Sequence, residues 1–210
     1  SRAESSPETS GYATRQAWFK ATPNDPKRRI LWAEALMKNG RHVEAGMIAE
    51  DILVKDKNNV RACLIMAEAH RLQGEFAKSG LEYTELFKRN PKLMSALLGM
   101  GQVALEKSLF PIALKVYTDA TALEPENATA WVGLGRAHYN QRLNFGAAVD
   151  AFARAKKLAP KRTDFAISYA NALRAIFRWD EAEVLLNERL ADIPDDPEAH
   201  FQLATVLLDS

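Results

Sequence analysis

Apolar residues recur along this chain at helical spacing, in amphipathic stretches of about 12–15 residues, the length of ordinary globular helices. The stretches come in pairs, and prolines punctuate them. Pro23, Pro91, Pro125, Pro160 and Pro194 each close a helical pattern; the last four stand 34, 35 and 34 residues apart. Pro23 and Pro91 are separated by twice 34, with Lys57 where the intervening proline would stand. A fixed period of this size is the signature of a repeat architecture.

Units that start three residues after each closing residue span 26–59, 60–93, 94–127, 128–162 and 163–196. Their eighth position is always small (Ala33, Ala67, Gly101, Gly135, Ala170) and their seventh always large and apolar (Trp32, Met66, Met100, Leu134, Tyr169). A turn follows, marked by Gly40 and Gly74 in the first two units. After it stands a ring, His42, Phe76, Phe110, Phe145 or Trp179, and three residues later Ala45, Ser79, Ala113, Ala148 or Ala182. Small residues on the first helix let the second cross close against it, and the ring fills the space beside the crossing. Proline ends the second helix because it restricts the residue before it and cannot continue the hydrogen-bond ladder. Pro111 falls in a first helical turn, where proline is tolerated.

This combination resembles the tetratricopeptide repeat. The fullest match is the run Ala130, Trp131, Val132, Gly133, Leu134, Gly135, Arg136, Ala137, His138 and Tyr139, followed by Phe145, Ala148, Phe152, Ala155 and Pro160. That unit carries one extra residue, placed between Tyr139 and Phe145. The first unit departs at Arg29, where tryptophan is typical, and the fifth at Arg189, where a small residue is usual. The resemblance implies an all-α fold, a right-handed α-α superhelical solenoid of helix-turn-helix repeats over 11–210. Residues 1–10 read as a polar leader or linker. Residues 11–25 read as a half repeat, the five units follow, and 197–210 form a closing half repeat. Phe201, Leu203, Val206, Leu207 and Leu208 there have no following helix to cover them, and solenoids normally cap such an end with polar residues. Both ends therefore read as cut, as in a piece of a longer protein or a chain whose end is covered by another.

Composition narrows the partners. The 28 basic and 27 acidic residues leave a formal charge of +1, which is no electrostatic footprint for nucleic acid. No segment approaches the roughly 18 consecutive apolar residues of a membrane helix, so direct membrane insertion is not expected. A single cysteine, Cys63, excludes an internal disulfide framework and a four-cysteine metal site. The chain opens on Ser1, which reads as processed or trimmed and leaves cytoplasm and bacterial periplasm both open.

Several residues invite a chemical reading. Gly99 with Gly101, and Gly133 with Gly135, mimic a dinucleotide loop, but they lie inside expected helices at small-residue positions, so packing is the reading adopted. His42, His70, His138 and His200 are singletons without the close local pairs of a zinc site, and His70 and His138 are read as packing residues. Cys63, at an apolar register position, is expected to be inert. Lys27, Arg28 and Arg29 read as a solvated helix start. Asn127 with Thr129 matches a glycosylation acceptor, relevant only in a eukaryotic secretory setting. No catalytic, cofactor or metal site is expected.

The resemblance places function in a concave groove lined by the first helices, with positions two, five, nine and twelve facing it. Carried over residue by residue, position five supplies an apolar floor that includes Leu64, Leu98, Val132 and Ile167, with Ile30 and Phe201 at its ends. Position nine supplies Glu34, Glu68, Gln102, Arg136 and Asn171, and position twelve Arg71, Tyr139 and Arg174. Some members of the family grip a C-terminal carboxylate with lysine at position five, and that clamp is missing here. The expected role is a non-catalytic scaffold that binds a protein or peptide segment in the groove and assembles a complex. Two alternatives stay open: the substrate-selecting repeat region of a larger enzyme such as a glycosyltransferase, and a homo-oligomer formed through the uncapped C-terminal helix.

Overall fold

Short polar side chains set the helix starts. Asp25, Asn59, Asn127 and Asp196 sit in extended backbone and accept hydrogen bonds from N–H groups of the turn that follows. They thereby satisfy donors that every helix leaves open at its start. The computed structural model describes residues 25–210. The expected leader over 1–10, and the half repeat as far as residue 24, lie outside them.

The described residues form eleven helices and no strand: α1 (Pro26–Lys38), α2 (His42–Lys55), α3 (Val60–Leu72), α4 (Phe76–Arg89), α5 (Met94–Glu106), α6 (Phe110–Leu123), α7 (Ala128–Gln141), α8 (Phe145–Leu158), α9 (Ala166–Arg174), α10 (Trp179–Asp192) and α11 (Pro197–Asp209). Odd-numbered helices are the first helices of the repeats and even-numbered ones the second. Every second helix opens on the ring residue read from the sequence. Helix α9 is shorter than its counterparts because Arg162, Asp164 and Thr163 are bonded outside it, Arg162 to Asp164 at 2.8 Å and Thr163 to Asp192 at 2.5 Å.

The turn inside each repeat has one construction. A residue in left-handed backbone follows the first helix: Gly40, Gly74, Ser108, Arg142 and Phe177, with φ from 56° to 78°. In four of the five turns its N–H reaches back three residues while the next N–H reaches back five, as in Arg41 to Leu36 and Arg178 to Leu173. This is the double bond of a Schellman ending. In the fourth repeat the second helix opens three residues after the left-handed position rather than two. The extra residue therefore lies between Arg142 and Phe145, beside Asn144, which caps α8 by accepting from the Ala147 N–H at 2.9 Å.

The described chain forms two compact units that divide within α5, after Gly99. In the first, Ile30, Trp32, Leu36, Ile52 and Ile65 build the core with interleaved alanines. In the second, Phe152, Phe165, Tyr169, Leu173 and Leu186 do so. Phe152 stacks on Phe165 at 6.1 Å and on Tyr169 at 5.6 Å.

Rings on second helices fit over glycines on first helices. A Cβ added at Gly99 would lie 2.4 Å from Tyr83; one added at Gly133 would lie 2.1 Å from Tyr117, which also presses on Gly101. The paired glycines are packing notches that let helix backbones meet an aromatic face.

The fourth position of the repeat shows a recurrent bond. Trp131 Nε1 donates to the Pro125 carbonyl at 2.8 Å, and His200 Nε2 donates to the Pro194 carbonyl at 2.8 Å. Cys63 Sγ approaches the Lys57 carbonyl at 3.9 Å. Three different donors thus tie a first helix to the residue that closes the preceding unit. Arg29, at the same position, turns instead to Asp51 of α2 at 2.5 Å.

Candidate functional site

Within each unit the first helices approach one another and the second helices do not. Helix α1 touches α3, α7 touches α9 and α9 touches α11, whereas α2 and α4, α6 and α8, and α8 and α10 stay apart. Each unit therefore closes toward its first helices, and side chains three and four apart on those helices share one face.

In unit 1 that face is already paired. Glu34 of α1 accepts from Arg61 of α3 at 2.6 and 2.8 Å. Glu68 accepts from Arg71 at 2.7 and 2.8 Å and from the Tyr83 hydroxyl at 2.8 Å. Burial pushes the Glu68 carboxyl upward, but the bonds from Arg71 and Tyr83 outweigh it and hold the group below its ordinary value. The Tyr83 phenol is pushed far up, by burial first and then by the Glu68 carboxylate. Met37, Leu64 and Tyr83 line an open depression of about 380 Å³ beside the two acids.

The first-helix face of unit 2 is different. Gln102 donates to Glu106 at 3.0 Å. Arg136, half-buried on α7, has no hydrogen bond or ion pair among the described residues; its electrostatic neighbour is Asp164. The Asp164 carboxyl is held below its ordinary range by the two bonds from Arg162, with Arg136 adding a smaller effect. Arg174 on α9 stands 3.8 Å from Asp209, beyond hydrogen-bond length. Tyr139 packs its ring against Phe145 at 5.6 Å, and Asn171 lies half-buried one register step along from Arg136.

The expected apolar floor is only partly present. Leu64, Leu98 and Ile167 are half-buried and offer surface. Val132 is a correction: only 4% exposed, it belongs to the unit 2 core with Phe165 and Tyr169. Ile30 is likewise core. Position five lies at the seam where neighbouring first helices meet, so a short branched side chain there is covered. Phe201 on α11, by contrast, is exposed, as are Leu207 and Leu208.

The other candidates are engaged locally. Arg28 pairs with Asp25 at 3.3 Å, so with Arg29 on Asp51 most of the basic run serves the helix start. Asn127 caps α7 and donates its amide to Glu124 at 2.9 Å. His70 is more than a packing residue, because its Nδ1 lies 2.9 Å from both Glu82 oxygens. His138 is partly buried, and burial pushes its pKa down. No group of three His, Cys, Asp or Glu able to hold a metal occurs among the described residues, and no helix there is long and apolar enough to cross a membrane.

A cavity on the second-helix side of unit 1 went unread in the sequence. It encloses about 390 Å³ between α2 and α4 and is floored by Leu53, Cys63, Met66 and Leu86. Burial pushes the Cys63 thiol up, away from the reactive thiolate. The only hint in the sequence was the apolar register position of Cys63.

Comparison with known proteins points one way. Two models described as tetratricopeptide repeat match residues 98–163 and 163–206. Anaphase-promoting complex subunit 3 of Schizosaccharomyces pombe is 22% identical over 188 residues, covering 90% of this chain and 28% of that protein. Protein O-mannosyl-transferase TMTC1 of Mus musculus is 27% identical over 143 residues, covering 66% of this chain and 15% of that protein. The chain thus spans well under a third of either relative. Among solved structures, TTC0263, a thermophilic TPR protein of Thermus thermophilus, superposes with a TM-score of 0.75 at 18% identity. That match covers 88% of this chain and 100% of the other.

Proposed function

Because the chain belongs to the tetratricopeptide repeat family, we propose that it is a non-catalytic scaffold that holds a segment of another protein against its first-helix faces and so assembles a complex. The observation that carries this reading is the approach of first helices to one another while second helices stay apart. It gives each unit an inward face on which positions nine and twelve stand in rows. Concave faces of stacked helix pairs are suited to extended or helical segments. Half-buried Leu64, Leu98 and Ile167 offer apolar contact there, and Glu34, Glu68, Gln102, Arg136, Tyr139, Asn171 and Arg174 set register around it. The similarity to a subunit of the anaphase-promoting complex supports assembly as the role.

Site-directed photocrosslinking in source lysate tests this. A photoreactive residue at Gln102 or Asn171, on first helices, is expected to capture a partner protein. The same residue at Lys115 or Asp150, on second helices, is expected to capture little. Capture confined to the second-helix positions overturns the reading.

A second reading has one observation behind it. The match to an O-mannosyl-transferase supports a role as the repeat region of a larger enzyme, selecting its substrates. Transferase activity in the product of the natural reading frame, lost when these repeats are deleted, would establish that role.

A further inference from the structure

The two units differ in how their inward faces are satisfied. In unit 1, both position-nine acids are neutralised by arginines of the same unit. In unit 2, position nine holds Gln102 and Thr205, each bonded within its own helix, and Arg136 and Asn171, whose side chains have no hydrogen-bond partner among the described residues. Arg174 is one turn from Asn171 on the same face of α9 and has only a loose neighbour in Asp209, whose side chain is 49% exposed. The other acid close by, Asp164, is already held by Arg162 through two bonds of 2.8 Å.

A half-buried guanidinium gives up part of its hydration, and a carboxylate held beyond hydrogen-bond length returns only part of that cost. Neither Arg136 nor Arg174 joins two elements by a hydrogen bond, unlike Arg61, Arg162 or Arg189, and Arg174 meets Asp209 only as a 3.8 Å ion pair. Their planar donor forks match carboxylate oxygens. Two isolated arginines in a chain of net charge +1 do not make the basic stripe a nucleic acid requires.

We infer that the first-helix face of unit 2 recognises a carboxylate-bearing segment of its partner through Arg136, Asn171 and Arg174. This rests on the scaffold reading above and adds the chemistry of the segment bound. Packed helices lie about 8–10 Å apart, and an extended segment advances about 3.3 Å per residue. Alternate side chains of such a segment share one face about 7 Å apart, so two carboxylates two residues apart reach the two arginines, either as two acidic side chains or as one side chain and a C-terminal carboxylate. Tyr139, three residues from Arg136 on the same face, supplies a flat apolar surface for the residues between them.

Selection with random dodecapeptide phage libraries tests this on the full chain, with one library displayed with free C-termini and the other fused at its C-termini. Enriched peptides are expected to be rich in Asp and Glu relative to the unselected library. Enrichment from the free-terminus library alone identifies the terminal carboxylate as a required group; enrichment from both identifies side chains. A synthetic copy of an enriched peptide is expected to bind Arg136→Gln/Arg174→Gln at least tenfold more weakly. The same loss is expected when the peptide's own acids are replaced by Gln, a change that leaves the protein untouched. Arg154→Gln/Lys157→Gln, an equal charge change on α8, is expected to alter binding less than twofold. Enriched peptides without acidic bias, or acidic peptides that bind the double variant equally well, overturn the inference and leave the scaffold standing. No enrichment from either library overturns both.

Discussion

Arg189 Nε donates to Asp196 Oδ2 at 2.8 Å, joining the end of α10 to the residue that caps α11. The arginine occupies a register position that is small in neighbouring repeats (Ala120, Ala155), and this bond explains the departure. Both side chains are shielded, at 19% and 11% exposure. Asp196 also accepts from the Glu198 and Ala199 N–H groups at 3.1 Å. Arg189 reaches Thr163, ahead of α9, at 3.4 Å. One guanidinium thus ties together three helix ends of unit 2.

The pair predicts an acid-sensitive contribution to stability. The Arg189 bond first, and the Ala199 N–H second, hold the Asp196 carboxyl below its ordinary value of 3.8. A carboxyl depressed in the folded state stabilises fully above its unfolded value and loses that contribution as pH falls through the folded one. Asp196→Asn keeps a capping oxygen and removes the charge. It is expected to melt lower than the parent at pH 6, with the gap narrowing below about pH 3.8. A gap that stays constant down to about pH 2.5, followed by circular dichroism, would show that the charge carries no weight.

Gly133 predicts a reversal of helix propensity. Glycine to alanine inside a helix ordinarily stabilises by about 1 kcal/mol. At Gly133 the added methyl would meet Tyr117 at 2.1 Å, and overpacking of this kind costs about 1–3 kcal/mol. Gly133→Ala is expected to lower the urea midpoint, and Tyr117→Leu in the same chain to recover part of the loss. Gly46→Ala, whose methyl would sit at an ordinary 3.4 Å from Ala69, is expected to be neutral or stabilising. Equal effects at the two glycines would count against the notch.

What the sequence made legible follows from which forces act within one repeat. The start of every second helix was readable from its ring residue, and the role of the glycine pairs from their register, because both reflect local helix geometry and close packing. The exposure of position five was not, since it depends on how near the first helices of successive repeats approach. Val132 is covered there, while Leu64 keeps surface. Arg29 and Arg189 looked like defects in the repeat, yet each finds an acid contributed by another helix end or face. A pairing across about 7 or 22 residues leaves no periodic trace. The contrast between the closed face of unit 1 and the open donors of unit 2 also needed coordinates, because Arg61 reaches Glu34, and Tyr83 reaches Glu68, from a neighbouring helix.

The turns yield a graded set of substitutions. Five first helices end in left-handed backbone, but only Gly40 and Gly74 supply the residue suited to it; Arg142 stands there with φ of 57° and Phe177 with φ of 62°. Left-handed backbone costs an L-residue about 1–2 kcal/mol, and glycine gives back part of that by its greater freedom in the unfolded chain. Arg142 is exposed and makes no side-chain hydrogen bond among the described residues, so Arg142→Gly is expected to stabilise by about 1 kcal/mol. For a chain of this size that raises the melting temperature by about 2–4 °C. Phe177→Gly is expected to gain less, because it gives up the edge contact with Trp179 at 5.2 Å. Gly74→Ala is expected to move the melting temperature down by a similar amount. Differential scanning fluorimetry on the three variants checks the order, and a gain at Gly74→Ala would remove the backbone as its cause.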